Sequence, residues 1–284
     1  MASIEAGLPV ACTVEVLSAL DADTADMLGA LVTQSGWNQT AEDWALFAAL
    51  GTIHVVRDAG GRLVASGAVL PMGETAAWIS MILVDPAARG QGLGRAVFAQ
   101  CLQQVQRTGR CALLDATPAG ERLYTQYGFT PLWRLTRWQR GVQAVAVPVE
   151  HSARGKLDLL AALDAEALGF ARAEVLKHLA DRPGSRMVRH VQGFAAVRAG
   201  RIARHIGPLI ATNETAAAAL LADIARSEPG PLFIDVPDDR PLLRAQLVAD
   251  GFVPQRGFVR MALGEPVPRG QTAFIHAIAG PEYG

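Results

Sequence analysis

Arg89-Gly90-Gln91-Gly92-Leu93-Gly94-Arg95 brings together residue types that can hold a phosphorylated anion. Glycines let a diphosphate approach the main chain. A helix opening directly behind them aims unpaired backbone N–H groups, and the positive end of its dipole, at the ligand. Arg89 and Arg95 add cationic donors. Two other phosphate loops fail on residues: a Walker loop needs Gly-Lys-Ser/Thr after the turn, and a dinucleotide fingerprint follows the first strand of an alternating strand-helix-strand unit. Here the loop follows the third strand of a meander, and Arg95-Ala96-Val97 comes after Gly94.

The elements that must position this loop can be read from periodicity. Val16, Leu17, Leu20, Met27, Leu28, Leu31 and Val32 have helical spacing over residues 15–33, and Glu42 to Leu50 reads as a second helix with Thr40 as its N-cap. Extended segments are expected at Thr52 to Arg57, Leu63 to Leu70 and Ala76 to Val84, separated by turn signals at Asp58 to Gly61 and Pro71 to Gly73. The helix behind the loop runs from Leu93 to Gln106 with Leu93, Val97, Cys101, Leu102 and Val105 on one face. A strand, Cys111 to Asp115, then leads to a helix closed by Tyr127-Gly128.

The second half repeats this order in worn form. Asp115 and Asp235 each close an apolar strand, a proline-containing turn starts a helix after each, and Gly-Phe ends that helix at Gly128-Phe129 and Gly251-Phe252. Upstream, Ala76 to Pro86 finds its counterpart in Ala203 to Asn213. We read a duplication, with one domain over residues 1–140, a linker over 141–155 and a second domain over 156–284.

The chain resembles the GNAT superfamily of N-acetyltransferases. Arg89, Gly92 and Gly94 match the family's Arg/Gln-x-x-Gly-x-Gly/Ala after a strand ending in Val84-Asp85-Pro86, and Leu123, Tyr124, Gly128 and Phe129 match its Leu-Tyr-x-x-x-Gly-Phe. The likeness covers residues 12 to 140, and the remainder is similar to a degenerate copy, so the whole looks like a tandem GNAT protein. The fold implied is α/β (α+β): two GNAT-like domains in tandem, each a mixed, mostly antiparallel twisted sheet flanked by helices.

Acetyl-CoA is the co-substrate that the resemblance implies. Backbone groups of Ile82, Leu83 and Val84 would bind its pantetheine, and Arg89, Gly90, Gln91, Gly92, Leu93, Gly94 and Arg95 its pyrophosphate. Tyr124 would protonate the departing thiolate, a role its hydroxyl suits chemically. The family's usual carboxylate base is missing from the strand Ala76 to Val84, which leaves Asp115, Asp43 or water for that task. Family members shape the acceptor site with the loop between the first two helices. Trp37, Asn38 and Gln39 therefore become substrate candidates here, with Trp78, Ser80 and Asp115 from the strands.

In the second half the chemistry has gone. Ala211 to Thr215 has neither glycine nor arginine, Glu214 stands where an anion would bind, and Leu247 occupies the place of Tyr124. Its expected role is to cover the open edge of the first sheet and wall the acceptor cleft, with Gln271 to Ala279 as a last strand able to pair across the halves.

Composition narrows the function classes. The 284 residues are 50% hydrophobic with a formal net charge of -1, and residues 1–140 carry 12 acids against 10 bases, so a polyanion or membrane-surface binder is disfavoured. Cys12, Cys101 and Cys111 form no ligand cluster and read as buried apolar residues of a cytoplasmic protein. The histidines are scattered, His205 reading as a core residue, and no metal is expected. No apolar run reaches the roughly 20 residues of a membrane helix. The expectation is acetyl transfer to a primary amine of a small molecule by a monomer or homodimer; a peptide acceptor or a non-catalytic acyl-CoA sensor are the alternatives.

Overall fold

The computed structural model describes residues 13–143 and 157–284, so most of the expected linker, Cys12 and His151 lie outside the described residues. The first half consists of β1 (Glu15–Val16), α1 (Ala22–Gln34), α2 (Ala41–Leu50), β2 (Thr52–Arg57), β3 (Leu63–Met72), β4 (Ala76–Val84), α3 (Leu93–Arg107), β5 (Cys111–Ala116), α4 (Pro118–Gln126) and β6 (Thr130–Arg140). The second half repeats the succession with α5 (Leu157–Leu168), α6 (Ala173–Asp181), β7 (Arg186–His190), β8 (Gly193–Arg198), β9 (Arg204–Ala211), α7 (Glu214–Ser227), β10 (Leu232–Pro237), α8 (Pro241–Ala249) and β11 (Val253–Leu263), then adds β12 (Ile275–Ala277).

Local chemistry sets the boundaries. α1 starts later than its apolar spacing suggests, because the Asp21 carboxylate accepts the Thr24 N–H at 2.8 Å and so caps the helix there. Glu15 and Val16 pair with β2 instead. The Asp43 carboxylate accepts the Thr40 N–H at 2.6 Å and fixes the entry to α2. Thr117 and Pro118 open α4, and Gly128, at φ 89°, closes it in the left-handed region that glycine adopts most readily.

The twelve strands of the described residues form one sheet, in the order β1-β2-β3-β4-β5-β11-β6-β10-β9-β8-β7, with β12 paired to β9 off that path. Pairing is antiparallel except at β4–β5 and β9–β10. The second half thus meets the β5 edge of the first sheet with β11, by strand exchange and not as a separate cap. The halves exchange their long strands, with β11 between β5 and β6, and β6 between β11 and β10.

Two buried ion pairs mark the exchange. Arg260 of β11 lies opposite Asp115 of β5 and grips it with two bonds, of 2.9 and 2.8 Å. Arg137 of β6 lies opposite Asp235 of β10 and makes two bonds of 2.7 Å. Each guanidinium is also held between aromatic rings: Arg260 is 4.6 Å from the Trp78 centroid and 4.3 Å from Trp133, and Arg137 is 5.2 Å from Phe233 and 5.5 Å from Phe258. His205 is buried beside Asp235, and burial, reinforced by Arg198 and Arg137, holds its pKa well below the ordinary value, as suits a core histidine.

Apolar cover follows the same logic. α3 buries Leu93, Val97, Phe98, Cys101, Leu102 and Val105 on the first half of the sheet, while α7 and α8 pack on the second. A shared core joins α1 and α2 to α6 through Leu31, Phe47, Leu176 and Tyr283. Cys101 and Cys111 are buried without a disulfide.

The tail differs from the sequence expectation. Only Ile275–Ala277 is a strand, and it pairs with β9 of its own half, because Thr272–Phe274 turns as a 3-10 helix before it. Residues 278–284 make the crossing instead.

Removing one partner of a buried pair strands the other charge. Arg137→Met should lower unfolding stability in urea by about 3–5 kcal/mol, and adding Asp235→Leu should recover most of that loss.

Candidate active site

Beyond Trp78, β4 and β5 part. Their parallel pairing is confined to Ala76–Cys111, Ala77–Ala112 and Trp78–Leu113. Met81, at φ 56°, sits where the β3–β4 register shifts between Ser66 and Ala68, and the Ser66 hydroxyl donates to its carbonyl at 3.0 Å. This bulge re-aims β4. β5 meanwhile pairs with β11 from Ala112 to Ala116. The β5-facing edge of residues 79–84, which includes Ile82, Leu83 and Val84, is thus left without a strand partner over most of its length.

The glycine loop closes one end of this gap. The Asp85 carboxylate accepts the Ala87 N–H at 2.8 Å and pins the turn. Gly90 and Gly92 lie at φ 80° and 77°, Gly92 being the N-cap of α3. A Cβ on either would meet nothing within 4 Å, so backbone conformation, not space, demands glycine there. At Gly94 a Cβ would press Val84 at 3.2 Å. The first turn of α3 holds no acid, which leaves its N-terminal N–H groups available to an anion. Arg89, Gln91 and Arg95 are exposed around it, whereas Leu93 is buried and contributes only main chain. These residues fit the diphosphate of a coenzyme A.

At the other end the gap widens into a cavity of about 610 Å³, open mouth included. The first half supplies Trp37, Gln39, Ser80, Ile82, Asp115, Tyr124 and Arg137 to its wall, and the second supplies Arg256, Phe258, Pro281 and Glu282. Tyr124 packs 4.7 Å from the Phe98 ring, and burial pushes its pKa up, so its hydroxyl stays protonated as a donor. Tyr127 also meets Phe98, edge-on at 5.0 Å.

The second half's own gap is filled. β9 and β10 pair in parallel over three positions and then part, as β4 and β5 do. β12 occupies the opening, with Ile275 opposite Ile210, Ala277 opposite Leu209, and the Ile278 N–H donating to the Asp235 carbonyl at 3.0 Å. At the N-terminus of α7, Asn213 accepts the Ala216 N–H at 2.9 Å, and Glu214 accepts the Leu242 N–H of α8 at 2.7 Å. The chain's own carboxylate thus stands where an anion would go, and Leu247 is fully buried.

From that gap the tail runs to the first half. The Trp78 indole donates to the Pro281 carbonyl at 2.9 Å and the Ser80 hydroxyl to the Glu282 carbonyl at 3.2 Å. The Glu282 carboxylate accepts from Gln39 Nε2 at 2.9 Å and from Arg198 at 2.6 Å. Burial raises its pKa, with Arg198 opposing. The Tyr283 ring stacks on Phe47 at 5.6 Å, and its hydroxyl donates to Asp43 at 2.6 Å.

Several sequence candidates are thereby reassigned. Asn38 does not line the cavity: its Oδ1 accepts the N–H groups of Ile202 (2.9 Å) and Ala203 (3.0 Å), and its Nδ2 donates to the Ala203 carbonyl (3.0 Å), so it clamps the two halves together. Trp78 is fully buried beneath the tail, outside the wall. Asp115 lines the cavity, but Arg260 engages both of its oxygens, which weighs against a base; burial raises its pKa and Arg260 opposes that. Asp43 is tied to Thr40, Tyr283 and Arg182 and lies outside the cavity wall. Burial acts to raise its pKa, but Arg182 and Arg198 hold it below the ordinary value. Glu282, Arg256, Arg137 and Phe258 were not anticipated. The one available signal was a single acid, Glu282, in the otherwise apolar run from Ala277 to Tyr283.

A family model described as an acetyltransferase (GNAT) domain matches residues 49–131, and a second with the same description matches residues 160–276. The chain is a tandem GNAT acetyltransferase. It is similar to the uncharacterized N-acetyltransferase YitH of Bacillus subtilis (strain 168), 23% identical over 233 residues, 78% of this chain and 82% of the relative. Its fold is similar to that of a candidate acetyltransferase from Pyrococcus horikoshii, with TM-score 0.79 and 20% identity over 95% of this chain and 96% of that one. A tandem GNAT protein from the clavulanic acid biosynthesis pathway shares the fold at TM-score 0.61 and 19% identity, over 88% of this chain and 98% of that one. Among the described residues of this acetyltransferase, no helix is long and apolar enough to cross a membrane.

Asn38→Ala would leave two N–H groups and one carbonyl of the 202–203 turn without their partner. We expect a stability loss of about 2–4 kcal/mol, read as a lower urea midpoint.

Proposed function

We propose that this acetyltransferase transfers acetyl from acetyl-CoA to the primary amine of a small molecule bound in the cavity, directly and in a ternary complex. One observation carries the reading: the strand gap runs from the glycine loop to a cavity holding a protonated tyrosine and a buried carboxylate, Tyr124 and Glu282. The enclosing β11 and tail favour a small acceptor over a peptide.

Acetyl-CoA supplies a thioester that an amine attacks without a covalent enzyme intermediate. The main chain of residues 82–84 and 89–95 positions it. Tyr124 donates a hydrogen bond, and then its proton, to the departing sulfur. Glu282 receives the proton of the substrate ammonium; burial raises its pKa, with Arg198 opposing, and Gln39 and Arg198 hold its carboxylate in place. Trp37 offers its ring to the cationic form of the amine. In this reading residues 1–140 are the cofactor-binding domain, and residues 156–284 act as a wall.

Changing both Gly92 and Gly94 to Val should abolish acetyl-CoA binding in calorimetry while leaving the circular dichroism spectrum intact. Loss in the variant of a site of on the order of -8 kcal/mol is the expected result; wild-type protein that binds no acetyl-CoA would refute the reading.

Tyr124→Phe and Glu282→Gln should each retain acetyl-CoA affinity and lose about 10²-fold or more in kcat. Glu282 works only when deprotonated, so the wild-type rate should fall as pH drops through its raised pKa. The Glu282→Gln profile should lack that limb, and a shared limb in both profiles would remove Glu282 from the role.

A further inference from the structure

Two residues of the cavity wall each carry a buried polar atom without a partner. Gln39 is 7% exposed, and while its Nε2 donates to Glu282, its Oε1 is buried and accepts no hydrogen bond. Arg256 Nε is likewise buried and donates none. Such atoms cost free energy unless something bound there satisfies them.

Their charges differ in a way that describes a ligand. Arg256 follows a bulge in β11, between Pro254 and Arg256, that places it directly opposite Arg137. Two arginines face each other in a partly buried site, a costly arrangement unless each has an anion. Arg137 has Asp235. Among the described residues no carboxylate lies within ion-pairing distance of Arg256, which rests against the Phe258 ring at 5.1 Å. Glu282 lines the same cavity and its charge acts on Arg256, yet the two do not pair. One part of the wall thus has a carboxylate, an unfilled carbonyl oxygen and the Trp37 ring, all suited to an ammonium. The other has an unfilled cationic donor suited to an oxyanion.

We propose that the acceptor is a small amine bearing an oxyanion, such as an amino acid, with its nitrogen at Gln39 and Glu282 and its anionic group on Arg256. This rests on the transferase reading above and specifies its substrate class. A neutral amine would leave Arg256 Nε buried and unmatched, and a site of this kind discriminates against a ligand lacking the matching group.

The test compares matched pairs of acceptors at saturating acetyl-CoA: α-amino acids with their α-amides, and phosphoethanolamine with ethanolamine. The first pair type reads a carboxylate, the second a phosphate. The charged member of at least one pair type should have kcat/KM about tenfold to hundredfold above its neutral partner. That ratio should collapse in Arg256→Gln and partly survive in Arg256→Lys, with thermal melts confirming that both variants fold. Calorimetry of the charged amines with wild type and Arg256→Gln supplies an activity-independent readout.

Equal kcat/KM within every pair, or a ratio that Arg256→Gln leaves intact, overturns the inference and leaves acetyl transfer standing. Charged amines that bind in an Arg256-dependent way but are never acetylated support the anion site and defeat the transferase reading. Charged amines that neither bind nor react overturn the inference.

Discussion

Asp115 and Asp235 occupy equivalent places at the ends of β5 and β10, and each is neutralised by an arginine from a strand of the other half. Buried carboxylates of this kind tolerate few alternatives, because an unpaired charge costs several kcal/mol and a shifted register would move the guanidinium to the opposite face of the sheet. The two pairs therefore specify which strand lies beside which. Two aromatic rings near each guanidinium, Trp78 and Trp133 for Arg260, Phe233 and Phe258 for Arg137, strengthen that specification.

The site depends on this exchange. β5 stays paired with β11 as far as Ala116, beyond Leu113 where its pairing with β4 stops, and the strand gap opens there. The same β11 brings Arg256 and Phe258 to the cavity, while β6 brings Arg137. The structural asymmetry between the halves lies in what fills each gap. In the first half the gap is left free, with a glycine turn and a bare helix N-terminus at its end. In the second, β12 takes the space and Glu214 takes the anion's place.

Much of this was legible in the sequence. The glycine loop, Tyr124 before Gly128-Phe129 and the repeated succession of elements are short-range patterns, and local chemistry decides them. The exchange was not legible, because the alternation of β6 and β11 reads the same whichever strands lie beside them. Asn38 and Trp78 read as substrate residues from the sequence, but their hydrogen bonds go to the 202–203 turn and to Pro281, partners more than a hundred residues away that no spacing reveals. Glu282 was missed for a related reason. A tail of Ile275, Ala277, Ile278 and Ala279 reads as a strand seeking an edge, and the residues after it show their purpose only once they lie on β4.

The strap formed by residues 278–284 also has a meaning in time. The glycine loop and the first-half strands of the gap are encoded before residue 130, but the rest of the cavity wall arrives with β11 and the tail, far later in synthesis. Until then β5 presents an unpaired edge and β6 has neither of its neighbours, the sort of exposed strand on which nascent chains associate wrongly. A ribosome-bound first half would thus carry the glycine loop on an unfinished sheet, and the cavity gains its last wall only when residues 281 and 282 settle against Trp78 and Ser80.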